Sequence, residues 1–380
     1  MILVKQLRAR IQNIMMRTER PDAAFSFLES VLLMISKVFE IIVQFRNALY
    51  DRNIVKYRAL PCFVISVGNI TVGGTGKTPM ARYLARRVSA WGFKTAIITR
   101  GYGGEMEKKG GVVSDGNTVC AGPTMAGDEP YMLAKTLDVP VIVGQNRFLS
   151  ARLAMDRFSA QVLILDDGFQ HRKIQRHLNL LLMDGTRPLG NGYLMPRGPL
   201  REPASGVKRA DWVVFTRSRD NAKRLLPDNI ASYIQNQPQF KAKHALFLFK
   251  YQSFDSMDTL SDITHLKGRH VTLLSGIAMN SSFRMSCMDA GMIIDGHLAF
   301  DDHHNYTTKD LANILAEFKA NASEMVATTH KDFTKLENTW PDQIPVAVMD
   351  VEIKFNPDDE AIFSIELQKQ LESFFGNTEK

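Results

Sequence analysis

FVISVGNITVGGTGKTPMAR, residues 63–82, decides how the chain is read. An apolar, β-branched run from Phe63 to Val67 enters a glycine-rich loop that closes on Gly76-Lys77-Thr78, and a helix-like pattern follows. A phosphate-binding P-loop needs this strand–loop–helix context. Gly73, Gly74 and Gly76 reach backbone angles closed to other residues and leave room for a phosphate to approach. With Thr71, Val72 and Thr75 they form a cradle whose amides point at the start of a helix, where the dipole favours anions. In such a loop Lys77 reaches the β- and γ-phosphates of a nucleotide and the Thr78 hydroxyl ligates Mg²⁺. Thr71 stands where the usual pattern has its first glycine. Pro79 is tolerated because amides of the first helical turn have no intrahelical partner. The alternative is an ordinary glycine-rich turn.

Outward from this loop, strand-like runs recur at 94–99, 139–143, 162–165, 180–183 and 212–216. Helix-like stretches at 80–91, 130–136 and 148–158 lie between several of them. Strands alternating with helices predict a parallel sheet covered on both faces, with ligands at the carboxyl ends of the strands. Residues 218–240 are polar and turn-rich, and new apolar runs follow at 245–249, 271–275, 325–328 and 346–351. The expected fold is α/β: a P-loop NTPase-like parallel-sheet domain over 51–238 and a second, smaller α/β domain over 239–380. Residues 1–50 form an N-terminal membrane-associated helix in this reading.

VLILDDGFQH, residues 162–171, is an apolar strand that ends in two carboxylates. A rigid strand delivering Asp166 beside the phosphates is the Walker-B arrangement, which holds Mg²⁺ through Thr78 or water. Asp167 goes beyond what metal binding alone requires. Asp128, in the glycine-containing loop Gly127-Asp128-Glu129-Pro130, has two readings. It is either the base that accepts the acceptor hydroxyl's proton or the N-cap of the next helix. Asp302-His303-His304 fits a metal pair, a base or a solvated loop, and two histidines without a third spaced ligand make a poor zinc site. The glycine- and proline-rich loop at 190–203 carries Arg197 and Arg201, whose guanidinium groups suit bidentate phosphate contact.

Composition narrows the classes. The chain has 380 residues, 45% hydrophobic and 23% charged, the balance of a folded chain long enough for two cores. Three scattered cysteines form neither a disulfide framework nor a metal cluster and suit a reducing compartment. The net charge of +7 favours anionic partners, but the aromatic-interleaved basic runs of nucleic-acid binders are missing. No cleavable signal peptide is expected. In residues 24–49, Ser26, Glu29, Ser36, Glu40, Gln44 and Asn47 form a narrow polar stripe at helical spacing on an otherwise apolar segment. Lys37 and Glu40 interrupt it too early for a spanning helix. An in-plane interfacial helix behind the basic leader Lys5, Arg8, Arg10, Arg17 and Arg20 is one reading. An amphipathic helix packed on the protein's own core is the other.

Taken together, SVGNITVGGTGKTP, TRGYGG, GDEP, LDDGFQH, LGNGYLMPRGPLREP, SGIAMNSSF, FDDHHNY and TTHKDFTKL, in that order, resemble the tetraacyldisaccharide 4′-kinases, the lipid A 4′-kinases of Gram-negative bacteria. These motifs run from residue 66 to residue 336, and the segment at 24–60 resembles the family's membrane-associated leader. The resemblance implies ATP- and Mg²⁺-dependent phosphorylation of the 4′-hydroxyl of a tetraacyldisaccharide 1-phosphate, giving lipid IVA at the cytoplasmic face of the inner membrane. It implies Asp128 as the base with His303 assisting, and Lys77 and Thr78 on phosphate and metal. It also implies Asp166, Asp167 and Gln170 on the Mg²⁺ side, with Arg201 facing phosphate. Three positions depart from the family pattern. Arg197 replaces a small residue, SGIAMNSSF lacks the usual Asn-Pro, and His330 replaces the Glu of a Thr-Glu-Lys-Asp motif.

Two rivals remain at this level. Partitioning-type membrane ATPases share the Gly-Gly-x-Gly-Lys-Thr loop, but they carry a lysine just before the glycine pair, where this chain has Val72. A non-catalytic nucleotide-binding module would not need Asp166, Asp128 and a basic loop together.

Overall fold

Among the described residues twelve strands form: β1 (Phe63–Gly68), β2 (Thr95–Thr99), β3 (Gly111–Asp115), β4 (Pro140–Val143), β5 (Val162–Leu165) and β6 (Leu178–Asp184), then β7 (Trp212–Thr216), β8 (Gln239–Gln252), β9 (His270–Ser275), β10 (Ile293–Ala299), β11 (Met325–Thr329) and β12 (Val346–Phe355). The computed structural model describes residues 2–17, 26–217, 226–253 and 262–376. Arg20, the side chains of Lys5 and Arg8, the start of the 24–49 segment and residues 218–225 lie outside the described residues. Two compact units are present, and neither is a single run of chain. The first comprises Met1–Thr99, Arg147–Lys243 and Lys354–Lys380; the second comprises Arg100–Asn146 and His244–Ile353.

In the first unit β1 lies between β5 and β6, with β2 beyond β5 and β7 and β8 beyond β6, and every pair is parallel. Every residue of β1, β2 and β5 is buried. Strands covered on both faces read as unbroken apolar runs, which is why these three were visible in the sequence. The connection from β1 to β2 runs one way along the sheet and that from β5 to β6 runs the other, so the carboxyl ends of β1 and β5 open on the crevice where such sheets bind ligands. Ile70, Phe169, Leu194, Leu200 and Val207 share one core cluster, which packs the loops after β1, after β5 and at 193–203 together. Gly68 is required there, because a Cβ at that position would stand 2.5 Å from the Phe169 Cβ.

The long helix Phe27–Asp51 begins with a capping box. Glu29 N–H donates to the Ser26 hydroxyl, and the Ser26 N–H donates to the Glu29 carboxylate. Such a cap stabilises a helix by about 1 kcal/mol. The helix docks through Glu29 and Ser36 of its polar stripe together with Leu32, Val43 and Tyr50. Glu29 and Ser36 are buried, and Ser36 Oγ donates to the Leu194 carbonyl and accepts from the Arg197 amide. At its other end Arg172 holds the Asp51 carboxylate, the Asn47 carbonyl and the Tyr57 hydroxyl. Phe27, Met34, Ile35, Val38, Ile41, Ile42 and Phe45 are all exposed. Leu32, Val43 and Tyr50 are buried like Glu29 and Ser36, and Phe39 packs against the cluster holding Leu194 and Leu200, so the helix docks on the core through a mixed face and leaves a second apolar face outside. None of the described helices is long and apolar enough to cross a membrane.

In the second unit β10, β9, β11 and β12 pair in parallel in that order, and β3 pairs antiparallel with β4. β3 and β10 escape sequence reading. Both are only partly buried; β3 is a short strand that starts at Gly111, and β10 is interrupted by Gly296, which blunts their periodicity.

Candidate active site

Two clusters hold the candidate residues, one in each unit. In the first, Gly73 and Gly76 take positive φ of 114° and 86°, and Gly76 caps the helix Lys77–Ala90 in the left-handed region. Thr71 adopts no such angle. It forms an antiparallel bridge to Leu200 instead, which is why a glycine is not needed there. The loop is tied from several sides. Val72 N–H donates to the Pro199 carbonyl at 2.7 Å, the Asn69 amide to Thr75 Oγ1 at 2.8 Å, and Thr216 Oγ1 to the Thr75 carbonyl at 3.0 Å. Arg217 bridges the Gly74 carbonyl at 2.8 Å and Asp184 at 2.9 Å.

At the head of that helix Thr78 Oγ1 donates to Asp166 Oδ2 at 3.1 Å, and Asp166 is almost fully buried. A hydroxyl and a buried carboxylate brought together by a loop and a strand end are the hard oxygen donors that suit Mg²⁺. Asp167, at φ 51°, turns the other way. Arg201 donates one nitrogen to both of its oxygens, at 2.8 and 2.9 Å, and Lys77 Nζ stands 3.8 Å from Oδ1. Burial pushes the Asp167 carboxyl up, but the Lys77 and Arg201 charges outweigh it and hold the carboxyl below its ordinary value. Gln170 donates its amide to the Asn69 carbonyl at 2.6 Å and to Glu202 at 2.9 Å. Glu202 is fully buried and also accepts from Arg209 at 2.6 Å. Gln170 thus joins the strand-end loop to the loop carrying Arg201.

In the second unit Gly127, at φ 90°, occupies the N-cap position of the helix Asp128–Thr136, with no side-chain cap. Asp128 is already inside the helix, so the capping reading does not apply to it. Its Oδ2 faces His303 Nδ1 at 3.2 Å and Lys335 Nζ at 2.8 Å. Burial raises the Asp128 carboxyl, and the bonds and charges of His303 and Lys335 more than reverse that, leaving it below the ordinary value. His303 sits in the left-handed region at φ 60°, a conformation a histidine adopts at a cost of roughly 1–3 kcal/mol when its surroundings enforce it. Its Nε2 lies 3.2 Å from Lys331 Nζ, which also donates to Asp302 at 2.9 Å. His304 differs from its neighbour. It bonds to Asp310, the capping-box residue of the helix Thr308–Ala320, and so belongs to the scaffold. Among the described residues no group of three or more His, Cys, Asp and Glu side chains forms a metal cluster.

TRGYGG supports this second cluster from below. A Cβ on Gly104 would fall 2.6 Å from the backbone at 126–127, so only glycine allows that loop to lie against the turn into Asp128.

The description tetraacyldisaccharide-1-P 4′-kinase matches residues 28–372. The chain belongs to this family. The tetraacyldisaccharide 4′-kinase of Desulfatibacillum aliphaticivorans is 39% identical over 361 residues, covering 93% of this chain and 95% of that protein. Its namesake in Geobacter sulfurreducens is 37% identical over 354 residues, covering 93% and 96%. Among solved structures, LpxK from Aquifex aeolicus in complex with ATP is 32% identical, with a TM-score of 0.72 over 92% of this chain and 100% of that one. Within this 4′-kinase chain, sequence reading singled out Asp128 and His303 but gave no role to Lys331 and Lys335, although TTHKDFTKL contains both. Their four-residue spacing on a helix, which puts two side chains on one face, was the available signal.

Proposed function

We propose that the chain transfers the γ-phosphoryl group of ATP to the 4′-hydroxyl of a tetraacyldisaccharide 1-phosphate, forming lipid IVA in lipid A biosynthesis. The observation that carries the nucleotide half is the bond from Thr78 to buried Asp166 at the head of a helix capped by left-handed Gly76. Phosphoryl transfer asks the protein mainly for positioning and charge stabilisation, plus one group to take the acceptor's proton.

In this reading the loop amides from Gly73 onward cradle the phosphates, with Thr71 and Val72 tied to Leu200 and Pro199 behind them, and Lys77 places its charge where negative charge develops. Thr78 and Asp166, with Asp167 and Gln170 behind them, hold the Mg²⁺ side; the ion neutralises phosphate charge when bound. Lys77 and Arg201 share Asp167 here, and a nucleotide's phosphates offer both cations a stronger anionic partner. Asp128 accepts the hydroxyl proton, with His303 orienting it. In this reading residues 1–50 serve as anchor, whereas the linear division into 51–238 and 239–380 gives way to the two compact units: nucleotide chemistry belongs to the first, and Asp128 with His303 to the second.

We further infer that the helix Phe27–Asp51 lies in the plane of the inner membrane's cytoplasmic surface. Seven large apolar side chains face outward from it, while Glu29, Leu32, Ser36, Val43 and Tyr50 are used for docking on the protein. In this reading the enzyme works on the surface where a four-chain lipid resides, as a peripheral or N-terminally anchored protein without a nucleic-acid partner. The direct test is purified protein with γ-labelled ATP and tetraacyldisaccharide 1-phosphate. Label must appear on the 4′ position, and ATP hydrolysis without a labelled lipid would refute the assignment.

A further inference from the structure

Each ring nitrogen of His303 has one neighbour at hydrogen-bond distance, and the two are of opposite kind; Asp302 Oδ1 lies farther from Nε2, at 3.9 Å, and is itself held by Lys331. An ammonium donates and never accepts, whereas a carboxylate only accepts. Lys331 Nζ at 3.2 Å from Nε2 therefore requires a lone pair on that nitrogen, and Asp128 Oδ2 at 3.2 Å from Nδ1 requires a proton there. Lys335 adds a second donor to the same Asp128 oxygen, and it also donates to the His304 carbonyl at 3.0 Å. Both lysines are largely buried and come from one face of the helix His330–Leu336.

That helix is itself pinned. Thr329 caps it through Asp332, whose carboxylate accepts from the Gly276 amide and from the Tyr306 hydroxyl, each at 2.9 Å. The ammonium groups are thus held by the same loops that carry His303.

We propose that Lys331 and Lys335 are positioning residues for the phosphoryl transfer: Lys331 locks His303 in the tautomer with its proton on Nδ1, and Lys335 clamps Asp128 Oδ2, so that Oδ1 meets the acceptor hydroxyl. The inference rests on the reading of Asp128 as the base. As the 4′-oxygen bonds to the γ-phosphorus, the bond from phosphorus to the ADP oxygen breaks with its electron pair leaving on ADP. The hydroxyl proton goes to Asp128 Oδ1. His303 has no lone pair facing Asp128 and acts as an orienting donor.

The titratable and charged groups around Asp128 are His303 and Lys335 in contact, Tyr306 bonded to Asp332, and Lys331 with Asp302 beyond the imidazole. Of these, Lys335 and His303 hold the Asp128 carboxyl down, so removing the Lys335 charge must raise it. Lys335→Met should move the acid limb of the kcat/KM profile upward by about one pH unit. Lys335→Arg should hold it in place. Lys331→Gln, whose carbonyl can accept from Nε2–H, should lose roughly 10–100-fold in kcat with the KM for ATP unchanged. Lys331→Arg, a donor only, should restore most of it.

¹⁵N spectra of histidine-labelled wild-type protein read the tautomer without any variant. An Nδ1–H signal for His303 is expected, and a dominant Nε2–H form overturns the proposal. An unmoved acid limb in Lys335→Met overturns it as well. If Asp128→Asn kept normal turnover, the base reading itself would fail. If Asp128→Asn is inactive while Lys335→Met titrates as wild type, only the lysine proposal fails.

Discussion

The phosphate cradle and the proton-accepting cluster sit at opposite extremes of sequence locality. Residues 71–78 build the first in one unbroken turn, whereas Asp128 and His303 are 175 positions apart and meet only through the fold of the second unit. The cradle's geometry follows from glycine angles and one helix start, which are local. The geometry of the other depends on a strained His303, a capped helix bearing two lysines and a glycine loop, each from a different stretch of chain. The lesson is that a phosphate site can be specified by a motif, while a tuned acid–base pair has to be specified by packing.

The largest losses are expected at the second cluster. Asp128→Asn keeps the size of the side chain but cannot accept a proton, and turnover should fall by roughly 10²–10⁴-fold. His303→Ala should fall similarly, and the double variant should be little worse than either single one, because groups that act as a unit are not additive. Steady-state assays of the three variants check this, and fully multiplicative losses would show two independent roles.

Lys77→Ala should cost about 10²–10³ in rate, the usual loss for one charge contact to the transition state. Here the loss should extend to nucleotide binding. Retained activity within about threefold would remove the cradle from the account.

The outward face of the helix Phe27–Asp51 comes next in size. Phe45→Glu and Ile41→Glu, both exposed, should each weaken vesicle binding roughly tenfold, since each removes apolar area from the lipid interface. High salt should release part of the wild-type protein and detergent all of it. Complete release by salt alone would show that charge does the anchoring.

The smallest effect separates folding from catalysis. His171 is half-buried among Arg147, Arg176 and Lys173, and burial together with those charges pushes its pKa down to about 4 from 6.5. A depressed histidine is protonated first in the unfolded chain. Stability therefore falls as pH drops from 6.5 toward 4. Between pH 7 and pH 5 His171 contributes at most about 2 kcal/mol of that loss. Urea titrations of His171→Gln should show a shallower dependence across this window than the wild type.

Much of the first unit was legible because its strands are buried on both faces and its loop is a contiguous motif. Asp166 could be placed for the same reason, at the end of the strand Val162–Leu165. Less was legible where a residue's partner is distant. Asp128 read equally as a helix cap, and only Gly127 in the cap position with Lys335 against the carboxylate separates the readings. His303 and His304 are chemically identical in sequence, yet one faces Asp128 and the other a helix cap. The polar stripe of the helix Phe27–Asp51 was visible, but which face would dock depended on Leu194 and Arg197, more than 150 residues away. Nothing in a linear reading reveals that residues 100–146 pack with 244–353.

The most direct measurement is an ATP-binding titration of Asp128→Asn and Lys77→Ala beside the wild type. With binding and proton transfer assigned to separate clusters, Asp128→Asn should bind MgATP within about twofold of the wild type despite its collapse in turnover, and Lys77→Ala should bind poorly. If the ATP affinity of Asp128→Asn fell in parallel with its turnover, Asp128 would be serving the nucleotide, and the separation of roles would be wrong.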